Sequence, residues 1–312
     1  MSTVAQTGSI HKTKINEQMV AVFLAQELHG EVSNLRYIQG GESSQAFSFE
    51  VNGQELVIRI NDRNPDGFQK DEYAFKHFSS VSIPVPEVIK IGQINDYYYC
   101  TSKKASGRTV GDFSEDERLK ILPAILSVAD KIHEISVSDK AGYGKWNNDG
   151  IGTKNSWKES ILCVDEYVWG TDNNPNYFET TFLDQNLWET AYNKMEELLK
   201  YCPEDRYLVH GDLGFDNVMS DGTKVTAVID WADSRYGDFL FDIAWLSFWR
   251  IDNSYEEVCL AHYKNKMITN LKERLQCYQI FIALNSLSFY AYSKQEEKTK
   301  FPTAKLLRLL EQ

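Results

Sequence analysis

Two alternating apolar runs meet at Asn52-Gly53. That pair accepts positive φ at both central positions of a type I′ turn, so the chain around it doubles back as an antiparallel hairpin with arms at 45–51 and 55–60. A third run, 35–39, precedes it across the pair Gly40-Gly41. Phe68, Tyr73, Phe75 and Phe78 then recur at roughly helical spacing within 66–78. Ile83-Pro84-Val85-Pro86 ends that helix, because proline fixes φ and lacks an amide hydrogen. Further strands are expected at 88–93 and 97–102, and the polar and small residues 104–107 read as a connector.

Beyond the connector the pattern is mainly helical, with helices expected at 115–135, 184–201, 239–249, 255–275, 278–292 and from Thr303. Residues 138–181, rich in Gly, Asn, Asp and aromatics without a clear period, read as a long loop with short helices, a common form for an insertion on the substrate side. A chain of 312 residues exceeds what one hydrophobic core usually fills, so two lobes are expected, 1–103 and 104–312.

Charge excludes some functions. With 33 basic and 45 acidic residues the formal net charge is −12, which repels nucleic acid and anionic membranes and welcomes a cationic substrate, although acidity also serves solubility alone. The polar start, 1–14, lacks the apolar core of a signal peptide, and 280–292 is too short and polar to span a bilayer, so a cytoplasmic protein, a monomer or weak dimer, is expected. Its five cysteines are odd in number and lack CxxC spacing, which argues against a disulfide framework or a zinc site.

The chemistry is concentrated in 208–231, L-V-H-G-D-L-G-F-D-N-V-M-S-D-G-T-K-V-T-A-V-I-D-W. Phosphoryl transfer needs a carboxylate for the acceptor hydroxyl, oxygen ligands for magnesium, and neutralisation of charge on the transferring group. Asp212 and Asn217 stand five apart, the spacing of the H-R-D-x-x-x-x-N loop of protein kinases, and Asp230 follows the short apolar strand 225–229. Asp212 is thus the candidate for the hydroxyl, and Asn217 with Asp230 the candidate magnesium ligands, since this hard ion is content with one carboxylate, one amide oxygen, phosphates and water. Each residue alone could serve a turn; together they point to catalysis. His210 has a pKa suited to general base work, but Asp212 already fills that position, which leaves bracing of the loop as its expected task.

His210-Gly211-Asp212, Asn217, Ile229-Asp230-Trp231 and Gly237-Asp238 with Asp242 together resemble the aminoglycoside phosphotransferase family, over roughly 35–250. Gly40 to Val51, Phe68 to Asp71, Ile83 to Val88 and Ser247 to Arg250 resemble its hygromycin B branch. The resemblance implies an α+β, protein-kinase-like two-lobed fold: a small antiparallel sheet lobe with one helix that binds nucleotide, and a larger, mainly helical lobe that binds substrate. It implies ATP and Mg2+ as cofactors and a hydroxylated cationic or sugar-like acceptor, an aminoglycoside such as hygromycin B. The same fold also carries housekeeping kinases of choline, homoserine or sugars, and a catalytically dead nucleotide-binding module is a third possibility. By the family pattern Arg59 stands on the third strand where lysine is usual, facing the ATP phosphates, with Asp71 or its neighbour Glu72 as partner. Ser43 and Ser44 would cradle phosphates, Ser102 and Lys104 would meet adenine through backbone groups, and Asp238 and Asp242 look structural, Asp238 as a helix cap. Asp216 and Asp233 are candidates to face a substrate ammonium, and Trp231 and Trp249 to stack on a sugar; solvated acids and core tryptophans are the alternatives.

Overall fold

In the computed structural model, which describes residues 13–27, 31–42, 44–165, 168–169, 176–251 and 254–312, the first described element is a helix that the sequence pattern did not reveal. This α1 (Glu17–Glu27) is followed by β1 (Val32–Ile38), β2 (Gln45–Val51), β3 (Gln54–Asn61), α2 (Asp66–Phe78), β4 (Val88–Ile94) and β5 (Tyr97–Lys103). The strands form one antiparallel sheet in the order β1-β2-β3-β5-β4. Asn52 and Gly53 take φ of 50° and 77°, as a type I′ turn requires, and align Val51 with Gln54.

Side chains of a strand alternate between faces, and here the two faces have different tasks. Phe47, Phe49, Leu56, Ile58 and Ile60 turn to one side and pack with Val20, Phe23 and Leu24 of α1. Arg59 therefore stands on the opposite face, toward α2, where Phe68, Val88 and Cys100 form a small cluster. So among the described residues this lobe holds two helices rather than one, and α1 was missed because its apolar residues do not separate cleanly from its polar ones.

The larger part follows as β6 (Arg108–Thr109), α3 (Glu115–His133), β7 (Tyr143–Trp146), β8 (Gly152–Lys154), α4 (Trp157–Leu162), α5 (Tyr177–Thr180), α6 (Gln185–Leu198), β9 (Tyr207–Val209), β10 (Val218–Ser220), β11 (Val225–Val228), β12 (Arg235–Gly237), α7 (Leu240–Phe248), α8 (Ser254–Tyr263), α9 (Leu271–Tyr292) and α10 (Lys300–Leu310). Ser114 and Glu117 form a reciprocal capping box that starts α3. Two small sheets, β11-β10-β6 and β8-β7-β12-β9, frame the segment that carries the chemistry. α9 is the central helix, with Leu275, Tyr278, Ile280, Phe281, Ile282 and Leu284 buried.

Two expectations need correction. The helix expected at 255–275 is broken: α8 ends at Tyr263, and Asn270 adopts left-handed φ of 51° just before α9 begins. The restart is fixed by Arg274, whose buried guanidinium grips Asp238 at 2.6 and 2.9 Å. Within 138–181 the described residues include a hairpin, β7–β8, whose strand β7 joins β12, so this stretch is built into the scaffold. No helix among the described residues is long and apolar enough to cross a membrane.

The connector after β5 leaves little room. Gly107 has φ of +85°, and a Cβ there would lie 2.1 Å from the Ser220 carbonyl oxygen. Gly107→Ala should therefore lower stability by about 2 kcal/mol, through left-handed strain and a clash with rigid backbone; thermal melts against Gly222→Ala, at a φ of +92° with open space, separate the clash from the strain.

Candidate active site

β9 ends at Val209 and delivers His210, Gly211 and Asp212 to the floor of a cleft between sheet and helices. Gly211 has φ of +82°, and a Cβ there would lie 2.1 Å from the Asp233 carbonyl oxygen, so only glycine lets the two turns meet. The loop is pinned from behind by Asp242 of α7, a fully buried carboxylate. Its oxygens accept the amides of His210 at 2.9 Å and Gly211 at 2.8 Å, and His133 Nε2 lies 3.0 Å away. Burial would raise the Asp242 pKa, but the His133 contact and the amide donors outweigh it and hold it below the usual carboxylate value. His210 is itself fully buried. Its Nε2 donates to Ile229 O at 3.1 Å and its ring meets Trp231 edge-on, while burial lowers its pKa and keeps it neutral. It braces the loop, as the sequence reading preferred.

Asp212 and Asn217 are joined directly. The Asn217 Nδ2 donates to Asp212 O at 2.9 Å and to Asp212 Oδ2 at 2.8 Å, which commits the amide nitrogen and leaves Asn217 Oδ1 for a cation. Asp230, at the end of β11, stands in left-handed conformation with φ of 62° and ψ of 70°, a strained state for a residue other than glycine and one typical of functional turns. Its side chain opens to the cleft. The protein that encloses the cleft, and then the charge of Asp71, push its pKa up to about 6, with Arg59 pulling the other way. Burial, followed by the charges of Asp233 and Asp230, raises Asp212 well above the usual carboxylate value. Carboxylates crowded in this way are under-compensated in the protein alone, which suits a site for a divalent cation. Among the described residues no three His, Cys, Asp or Glu side chains form a metal cluster, so one carboxylate and one amide oxygen would be supplemented by phosphate oxygens.

The sheet contributes Arg59. Its guanidinium pairs with Asp71 Oδ2, lies 5.2 Å over the Phe68 ring and approaches Cys100 Sγ at 3.9 Å. Burial acts against the charge, but Asp71 more than offsets it and holds the group protonated. Asp71 Oδ1 accepts the Trp231 amide at 2.8 Å, so one carboxylate joins the basic residue of β3 to the turn that bears Asp230. Of the two acids left open by the sequence, Asp71 is the partner; Glu72 pairs instead with Lys76, on the exposed side of α2.

The remaining expected residues are distributed unevenly. Ser43 lies outside the described residues. Ser44 is half-buried and follows Gly40 and Gly41, with φ of 119° and 67°. Ser102 is buried in β5 and paired with both β3 and β4. The Lys104 N–H donates to Glu55 O at 3.2 Å and its ammonium sits on Glu55 at 2.6 Å, so for adenine it retains its carbonyl but not its amide. Asp216 is exposed beside Gly111, where a Cβ would come within 2.0 Å of Asp216 Oδ1. Asp233 pairs with Lys145 of β7; burial would raise its pKa, but Lys145 and Arg235 hold it below the usual carboxylate value. Trp231 does not fit the stacking role. Trp231 is fully buried with its indole N–H on Val228 O at 3.2 Å, and Trp249 stacks on Phe301 at 5.8 Å. Lys145 and Lys70 were not anticipated. Only the F-x-K-D run at 68–71 pointed toward Lys70, and nothing in the aperiodic stretch singled out Lys145.

Residues 34–272 match the family described as the Phosphotransferase enzyme family (APH). The chain is similar to hygromycin-B 4-O-kinase of Escherichia coli, 35% identical over 244 residues, covering 77% of this chain and 69% of the relative. The crystal structure of aminoglycoside phosphotransferase APH(4)-Ia superposes with a TM-score of 0.83 at 30% identity, covering 95% and 99% of the two chains. A thermostable mutant of that enzyme in ternary complex with AMP-PNP and hygromycin B gives 0.81 at 31%, covering 94% and 98%. The gentamicin complex of APH(2")-IIa shares the fold, with a TM-score of 0.62 at 17% identity over 95% and 97%.

Removing Asp71 leaves Arg59 without its carboxylate and frees the Trp231 amide. Asp71→Ala should lower the unfolding free energy by about 3 kcal/mol, whereas the exposed pair of Glu72 predicts less than about 0.5 kcal/mol for Glu72→Ala; urea denaturation of both variants checks the contrast.

Proposed function

The chain belongs to the phosphotransferase enzyme family, and we propose that it transfers the terminal phosphoryl group of ATP to a hydroxyl of an aminoglycoside, with hygromycin B the first candidate acceptor. The observation that carries the reading is the Asp212 carboxylate, held by the Asn217 amide beside Asp230 at the foot of an acidic cleft. Kinship to hygromycin-B 4-O-kinase supports the acceptor class. The reaction takes place in the cytoplasm, where ATP is abundant.

In this reading each residue has a separate task. Asp212 Oδ1 receives no hydrogen bond among the described residues and is the acceptor for the substrate hydroxyl proton, while Oδ2 stays on Asn217. Asn217 Oδ1 and Asp230 would hold Mg2+, which when bound neutralises charge on the phosphates. Arg59, with one nitrogen on Asp71, keeps other N–H donors for phosphate oxygens. Its planar fork can meet two of them, which a lysine cannot do. Ser43, Ser44 and the glycine pair would cover the phosphates, and Ser102 and the Lys104 carbonyl would meet adenine. On the acceptor side, Asp216 and the Lys145–Asp233 pair would read charged groups of the substrate. Trp231 and Trp249 are left out of this assignment. Asp212, Asn217 and Asp230 are all present, which disfavours an inactive nucleotide-binding module.

Coupled ADP release with ATP and a panel of hygromycin B, other aminoglycosides, choline and simple sugars tests the reading. Hygromycin B should stimulate turnover, and Asp212→Ala should lower kcat by about 10² to 10⁴. Stimulation by choline or a sugar and by no antibiotic would replace the acceptor class; no stimulation above the variant would end the kinase reading.

The raised carboxyl values also fix a pH dependence. A metal ligand must be ionised, and at pH 5 Asp230, with a pKa of about 6, is mostly protonated. Apparent affinity for Mg2+ with a non-hydrolysable ATP analogue should therefore rise with pH by about tenfold between pH 5 and 7.5, as followed by titration calorimetry in buffers of matched ionic strength.

A further inference from the structure

Lysine is almost never buried unless paired with an opposite charge. Lys70 of α2 is only 5% exposed, and among the described residues no carboxylate bonds it. Its ammonium donates instead to two backbone carbonyls, Ala232 O at 2.7 Å and Ser234 O at 3.0 Å, and lies 4.3 Å above the Trp146 ring. Ala232 and Ser234 belong to the turn that directly follows Asp230.

Other contacts hold parts of that turn as well: Trp231 is buried against His210 and bonds Val228 O, Lys145 pairs with Asp233, and Arg235 Nε donates to Asp233 O at 3.1 Å. Internally, Ser234 donates to Trp231 O through its amide at 3.0 Å and its hydroxyl at 2.5 Å. Externally, Asp71 accepts the Trp231 amide, and Gly67 lies so close that a Cβ there would be 3.3 Å from the Ala232 Cβ. Asp230 sits at its head in a left-handed conformation that its own chain does not favour. Keeping a desolvated ammonium here costs free energy, and burial lowers the Lys70 pKa to about 7, with Lys145 and Arg235 also unfavourable and Asp233 and Asp71 opposing them. An apolar side chain could fill the same volume without that cost, yet could not tie down two carbonyls.

We propose that Lys70 is a positioning residue for the metal site: its ammonium, capping the Ala232 and Ser234 carbonyls against the Trp146 ring, fixes the turn that aims Asp230 at a divalent cation. The inference rests on the reading of Asp230 as a metal ligand. It distinguishes Lys70 from Asp71, whose second oxygen serves Arg59, and it predicts a selective effect. Loss of the ammonium loosens metal binding while the acceptor side, formed by Asp212, Asp216 and β7, keeps its shape.

The test is a Mn2+ titration followed by electron paramagnetic resonance in the presence of a non-hydrolysable ATP analogue, on the full chain and without any acceptor. Lys70→Met, which keeps the unbranched stem, should weaken Mn2+ binding at least tenfold. Lys70→Arg, which restores charge and donors, should recover most of that loss. In turnover the methionine variant should need at least tenfold more free Mg2+ for half-maximal rate, with the acceptor KM changed less than twofold. Unchanged Mn2+ affinity in Lys70→Met, or an equal loss in the arginine and methionine variants, would overturn the proposal and leave Lys70 a packing residue. If Lys70→Met does not fold, Trp146→Leu provides the second reading: Mn2+ affinity reduced at least threefold supports the proposal and unchanged affinity overturns it. Absence of Mn2+ binding by the unaltered chain would instead remove the metal assignment of Asp230.

Discussion

The two oxygens of Asp71 define how the rest of the structure is arranged. One holds a guanidinium from the sheet, the other an amide from the turn after β11, and neither partner can move without disturbing the other. The basic residue of the sheet and the turn that bears Asp230 are both placed through this carboxylate. The face of β3 that bears Arg59 follows from strand alternation, and the face of α2 that bears Asp71 follows from the burial of Phe68, Ala74 and Phe78. Asp242 is the counterpart on the other side of the cleft, where one buried carboxylate takes two successive amides of the catalytic loop.

Between these anchors lies a cleft with a deliberate imbalance of charge. Asp212, Asp230 and Asp233 converge, and among the described residues only Asp233 has an ammonium on it. The other two are left with raised pKa values because each additional negative charge in a shielded place is harder to ionise. A protein selected only for stability would neutralise them. This one leaves them uncompensated within the protein, which is the arrangement that the proposed metal site requires.

Much of this was legible in the sequence, for physical reasons that differ by region. The sheet strands were readable because Asn52-Gly53 fixes a turn and the alternation in 45–51 and 55–60 is strict. The candidate site around 208–231 was readable as a cluster because its residues lie close in sequence, so spacing carries the geometry. Three features were not readable. The helix α1 lacks a clear apolar stripe, and the break before α9 depends on Arg274 reaching Asp238, 36 residues away. Lys145 and Trp146 enter the site on a short strand of a stretch without period, through tertiary pairing with β12. Trp231 misled for a related reason. It adjoins Asp230 in sequence, but a large ring next to a strained turn is more useful as its foundation than as its lining.

The helix α2 belongs by sequence to the sheet lobe, yet Ala74 and Phe78 are part of the large core of the helical lobe, while Phe68 packs with the sheet. Its polar side chains bond in both directions as well, through Arg59 on one side and the 231–234 turn on the other. Two lobes that share one helix cannot melt independently, because unfolding either exposes half of a helix that the other still needs. The cleft thus separates two sides for chemistry, while α2 ties the packing of one side to that of the other.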